Sequence, residues 1–78
     1  LQGAGMVKNE IGEIAGIIWN YLDKNGETLY LKLKQDFMTE HKFSEIQFNM
    51  ALGWLLRENN ILVVKNDQIF ENSHIKLK

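Results

Sequence analysis

Residues 43–71 read F-S-E-I-Q-F-N-M-A-L-G-W-L-L-R-E-N-N-I-L-V-V-K-N-D-Q-I-F-E, and the change of period inside this stretch decides the fold. Ser44 and Gln47 form a capping-box pair, in which each side chain accepts the other residue's backbone N–H. Phe43 and Phe48 hold the flanking positions of a hydrophobic staple. A helix therefore starts at Ser44 and runs to about Glu58, where Asn59-Asn60 tolerate the left-handed turn that ends it. The period then becomes that of strands. Ile61 to Lys65 is a β-branched run, Asn66-Asp67 is a two-residue turn, and Gln68 to Glu71 is the returning strand of a hairpin. Ser73 to Lys78 alternates polar and apolar, so it either extends that strand past an irregularity at Asn72-Ser73 or frays.

Working upstream, Gly26-Glu27-Thr28 leaves two openings: Glu27-Thr28 pairs as a brief strand, or Thr28 caps a helix from Leu29 to about Thr39. On that second helix Leu29, Tyr30, Leu33 and Phe37 share one face. From Glu10 to Lys24, Ile11, Ile14, Ala15, Ile18 and Leu22 recur at helical spacing, with Asn9 as the N-cap and Asn25-Gly26 as the stop. With Ile17, Tyr21 and Trp19 included, the apolar arc of this first helix spans about 200°, wider than the roughly 100° that one contact requires. Gly12 and Gly16, one turn apart at the edge of the arc, mark either close approach of another backbone or two tolerated exposed glycines. Residues 1–5, L-Q-G-A-G ahead of Met6, look like a protease-site or cloning remnant. That leaves residues 6–78 as one domain.

Helix, short strand, helix, turn, helix and two-stranded hairpin is the order of an α+β winged helix-turn-helix, with the third helix in the recognition position and the hairpin as wing. The string Ala51-Leu52-Gly53-Trp54-Leu55-Leu56-Arg57-Glu58, after Lys8-Asn9-Glu10-Ile11-Gly12 and Gly26-Glu27-Thr28-Leu29, also resembles a group of small stand-alone bacterial winged helix-turn-helix proteins of uncharacterised function. The resemblance covers Met6 to Phe70 and implies a fold, with no catalytic or binding residues attached to it. The wider superfamily implies DNA contacts from Ser44 to Asn49 and from Lys65-Asn66-Asp67 at the wing tip.

The chemistry of the chain points elsewhere. In 78 residues, nine Lys and Arg stand against ten Asp and Glu, a net charge of −1, whereas a DNA-binding domain needs an excess of basic side chains to neutralise phosphates. From Leu29 to Glu58 the basic Lys32, Lys34, Lys42 and Arg57 are balanced by Asp36, Glu40, Glu45 and Glu58. A DNA reader would rest on Lys42, Gln47, Asn49 and Arg57 with Lys65 on the wing, although Gln47 is first of all a capping residue. The third helix spends Phe48, Ala51, Leu52, Leu55 and Leu56 on one core. Its opposite side carries Ile46, Met50, Gly53, Trp54 and Arg57, the composition of a protein interface. Trp54 lies at the margin of that stripe and serves the core equally well. Leu31 and Met38 add apolar surplus on the second helix, and both faces of Ile61 to Val64 are apolar.

The expected function is therefore a non-catalytic module acting through self-association or a protein partner, in a transcription-related setting. Ile46, Met50, Trp54, Gly12, Gly16 and Ile17 form the expected surface, with DNA binding as the alternative. A homodimer covers surplus apolar surface with one patch used twice. A chain this short buries only about 60% of its unfolded surface, and without cysteine it has no disulfide or thiolate metal site to support it. Leu33, Phe37, Phe48, Leu52, Leu55, Ile14, Ile18, Leu22, Val63 and Phe70 are expected to fill the interior. Ile46, Met50, Leu31, Ile17 and some of Leu62, Val64, Ile75 and Leu77 are left over. No catalytic residue, cofactor site or metal site is expected. His41 and His74 have no second ligand at metal spacing and read as solvated, Ser44 is a cap with no base beside it, and the glycines match no phosphate loop. No run of about 20 apolar residues spans a membrane, and a cytoplasmic location is expected.

Overall fold

The capping box at Ser44 forms as the sequence requires: Ser44 Oγ accepts the Gln47 N–H at 3.1 Å, and Gln47 Oε1 accepts the Ser44 N–H at 2.8 Å. The computed structural model describes residues 2–65 and 67–78, and for residues 2–9 the backbone alone. Helix α3 runs over Glu45–Arg57. It closes in a Schellman motif, with Asn59 at φ 68°, its N–H on the Leu56 carbonyl at 3.1 Å and the Asn60 N–H on the Leu55 carbonyl at 2.9 Å. Ser44→Ala should therefore cost about 1 kcal/mol through loss of the cap. A thermal midpoint unchanged in circular dichroism would contradict that role.

Among the described residues the remaining elements are α1 (Gln2–Asn25), β1 (Thr28–Leu29), α2 (Tyr30–Glu40), β2 (Ile61–Val64) and β3 (His74–Leu77), with a 3-10 turn at Phe70–Asn72. The sheet is antiparallel in the order β1-β3-β2. This is the winged helix-turn-helix arrangement.

Three boundaries differ from the expectation. Helix α1 starts at Gln2, so Asn9 lies inside it and is no cap. A helix once nucleated gains a hydrogen bond with each added residue, and nothing from Gln2 to Lys8 is a proline. Its end is as expected, with Gly26 at φ 80° donating to the Leu22 carbonyl at 2.8 Å. The strand, not the cap, is what forms at Thr28: its hydroxyl donates to the Gly26 carbonyl at 2.9 Å, and the first N–H of α2, from Tyr30, goes to the Ser73 carbonyl at 2.9 Å. The third difference is the wing. The strand paired with β2 is the tail, in the register Ile61↔Leu77, Val63↔Ile75 and Val64↔His74, and Gln68 to Glu71 is not a strand. Asp67 redirects the chain there. Its carboxylate accepts the Ile69 N–H at 2.8 Å and the Asn72 side-chain amide at 3.0 Å, which folds the segment into the 3-10 turn. The expected Asn66-Asp67 turn falls partly outside the described residues, because Asn66 is not among them.

Strand β3 is central and pairs with β1 as well, through Thr28↔Ile75 and Leu29↔His74. Ile75 is therefore fully buried, where a surplus residue was expected, and Phe70, expected inside, is 45% exposed with its ring edge-on to Tyr30 at 5.4 Å. Leu56 and Leu29 are likewise exposed, not core: Leu56 lies about 100° round the helix from Leu55, and Leu29 ends in the strand. The other residues expected inside are buried, Val63 only partly, and Ile61, which was not assigned to the interior, joins them. Ile14, Ile18 and Leu22 of α1 meet Leu33 and Phe37 of α2 and Phe48, Ala51 and Leu55 of α3. Phe37 sits at the junction of the two helices, 5.3 Å from Phe48 and 5.7 Å from Phe43, so the two staple residues meet on its ring.

Candidate functional site

In a winged helix-turn-helix the face of α3 turned away from the core is the one a ligand meets. Here that face is apolar. Ile46 is 71% exposed, Met50 50% and Leu56 49%. A Cβ at Gly53 would have nothing within 4 Å. Ile46, Met50, Gly53 and Arg57 follow one another at spacings of four, three and four, which at 3.5 residues per turn is one straight seam. Beside the seam, between α3 and the sheet, runs a groove of about 320 Å³ whose walls include Leu52, Gly53 and Leu56 on the helix, and Val63 and Phe70 opposite. Trp54 is partly buried against the core and lies at the seam's edge.

The residues a DNA reader would need are scattered, and two of them, Gln47 and Asn49, are already engaged. Gln47 is half-buried and spent on the cap. Asn49 Oδ1 accepts the Tyr30 hydroxyl at 2.7 Å. Lys42 and Arg57, both exposed, flank opposite ends of a helix about 20 Å long, and Lys65 is exposed past the end of β2. Lys34 is bound to Glu45 at 2.9 Å. On α1, Gly12 and Gly16 are open, with nothing within 4 Å of either Cβ position, while Ile17 packs partly against the core. These three do not share one patch, since Gly16 and Ile17 are consecutive and open about 100° apart.

A second, polar cleft of about 780 Å³ lies between α1, α2 and β3, and its only local signal is the Lys32/Asp36 spacing on α2. In it Asp36 Oδ2 accepts the Tyr21 hydroxyl at 2.8 Å and Lys32 Nζ at 2.9 Å, and His74 Nδ1 lies 3.3 Å from Glu27 Oε2. Neither histidine is merely solvated, for His41 packs at 4.7 Å on the Phe37 ring. Burial, then the bond to Asp36, pushes the Tyr21 phenol above its ordinary value, so it stays a neutral donor. The hydrogen bond from Lys32, then that from Tyr21, holds Asp36 below the carboxylate range, and the Asn72 and Ile69 donors do the same for Asp67. Each acid and base named in this cleft faces an opposite charge or a donor, which describes a structural network.

Two lowered carboxylates fix the sign of the acid response. Their contribution is fully present above the unfolded carboxylate value of about 3.9 and is lost as pH falls through the lower folded values. The thermal midpoint should hold from about pH 7 to pH 5 and drop below about pH 4. Asp36→Asn with Asp67→Asn should flatten the drop, and an unchanged acid limb in the double variant would contradict the assignment.

Residues 6–72 match the family model described as "Winged helix-turn-helix domain (DUF2582)". The chain belongs to this family. It is similar to an uncharacterized protein, MJ1608, of Methanocaldococcus jannaschii, with 39% identity over 59 residues, 76% of this chain and 81% of that relative. No solved structure matches. The DUF2582 match covers the stretch on which the resemblance was seen, and the relative is archaeal where a bacterial group was expected. The family description carries the fold and assigns no catalytic residue. Among the described residues, no group of three or more His, Cys, Asp or Glu could hold a metal ion, and no helix is long and apolar enough to cross a membrane.

Proposed function

We propose that this winged helix-turn-helix domain is a non-catalytic interaction module that self-associates through the outer face of α3, in a transcription-related setting. The carrying observation is the exposure of Ile46 and Met50 on the very face where a DNA reader needs polar and basic side chains. Burying Ile46, Met50 and Leu56 of this face against a copy contributes on the order of 5–9 kcal/mol before an association cost of several kcal/mol. That balance corresponds to a dimer in the micromolar range.

The DNA-reading alternative rests on Asn49, Lys42, Arg57 and Lys65, and charge argues against it. Glu45 is the only charged side chain in the first two turns of α3, and the whole chain is net acidic. Random-sequence duplex titrated at roughly physiological salt should bind no tighter than about 10⁻⁵ M, with light scattering on the same samples reporting the solution mass. Tight duplex binding by a protein of monomer mass would overturn the proposal in favour of DNA reading.

A further inference from the structure

We infer that Asn25-Gly26 is a site of spontaneous deamidation, held shut by the last turn of α1 and open to reaction whenever that turn frays. Of the eight asparagines in the chain, Asn25 alone is followed by glycine, which has no side chain to hinder attack by its own backbone nitrogen. In the reaction the Gly26 nitrogen loses its proton and bonds to Cγ of Asn25, the bond from Cγ to the side-chain nitrogen breaks, and ammonia leaves a succinimide behind. Water then opens the ring at either carbonyl, which gives aspartate or isoaspartate at position 25. Both residues are exposed, so water reaches them in the folded chain.

The fold keeps the two reacting atoms apart. Asn25 is the last residue of α1, and the Gly26 N–H donates to the Leu22 carbonyl at 2.8 Å, so the nucleophile is tied to the helix and keeps its proton. The side chain is held as well. Nδ2 of Asn25 donates to the Tyr21 carbonyl at 2.9 Å, which folds the amide back towards the start of the helix and away from Gly26. Both hydrogen bonds lie at a helix end, and such ends open at a free energy well below that of global unfolding. Conversion damages the joint that follows. A carboxylate at position 25 has no donor for the Tyr21 carbonyl and stands at the negative end of the helix dipole. Isoaspartate also lengthens the backbone ahead of Gly26, whose φ of 80° and whose carbonyl, the acceptor of the Thr28 hydroxyl, lead the chain into the pairing of β1 with β3. The extent of conversion therefore records the time that this turn has spent open.

Peptide mass spectrometry of the full chain, kept folded or in guanidinium chloride at one mildly alkaline pH, follows each asparagine. In the denatured chain Asn25 should convert ahead of the other asparagines, and in the folded chain it should convert at least about tenfold more slowly than in the denatured one. Conversion of another asparagine first in the denatured chain overturns the site. Equal rates in the two states overturn the gate. Hydrogen exchange reads the gate independently: the Gly26 N–H should exchange at least about tenfold more slowly in the folded than in the denatured chain, and exchange at the unprotected rate would show that the Leu22 bond holds nothing shut. The deamidated protein, separated by ion exchange, should melt several degrees below its parent. An equal melting temperature would mean that the joint between α1 and β1 tolerates the change, against the damage inferred here.

Discussion

Met50→Glu should convert the protein to a monomer while leaving its fold in place. Met50 is half exposed in the single chain and contributes nothing to the buried core, and glutamate forms helix about as well as methionine. The isolated domain therefore loses little. In the dimer the new carboxylate would be carried into a desolvated, mainly apolar contact, at a cost of about 2 kcal/mol per copy. The two-fold axis counts the substitution twice, so the dissociation constant should rise by roughly a hundredfold to a thousandfold. Dilute samples of the variant and the parent should share one circular dichroism spectrum and a similar thermal midpoint. At high concentration only the parent should show dimer mass. An equally dimeric variant would remove Met50 from the interface.

The second large effect concerns the fold. Phe37 is buried at the meeting point of α2 and α3, with Phe43, Phe48 and His41 around its ring at 5.7, 5.3 and 4.7 Å. Phe37→Ala removes the shared partner of all three and leaves a cavity that their rigid rings cannot close, at a cost of about 3–5 kcal/mol. A domain of this size has about 4–12 kcal/mol in total. With a shift of about 4–8 °C for each kcal/mol, the thermal midpoint should fall by about 12 °C or more. A fall of only a few degrees would mean that the α2–α3 junction is not held by this ring.

The parts of the fold that local chemistry controls were legible in the sequence. The α3 cap, its asparagine terminator, the glycine stop of α1 and the helical core stripes all depend on residues within a few positions of one another in the chain. The wing was legible only in part. Gln68 to Glu71 and His74 to Leu77 both have strand composition, and the choice between them falls to non-local contacts: the pairing of β3 with β1, the Ser73 carbonyl on α2 and the Asp67 hydrogen bonds. Helix α1 began seven residues before the Asn9 cap expected for it, since an asparagine marks a start only where the chain ahead of it is not already helical. For the site, the period of α3 identified Ile46 and Met50 as outward. It could not show that Leu56 also faces outward, nor that Gly53 lies at the edge of a groove, because the opposite wall is built by Val63 and Phe70. The polar cleft at Tyr21 and Asp36 was out of reach for the same reason: its partners lie on α1 and α2, 15 residues apart in sequence.

Sedimentation equilibrium of the unmutated chain, from a few micromolar to several hundred micromolar, tests self-association through α3 most directly. The expected result is a mass that rises with concentration from monomer towards dimer, with a midpoint in the micromolar range, and that stays at monomer throughout for Met50→Glu. A parent chain of monomer mass at several hundred micromolar would contradict the account.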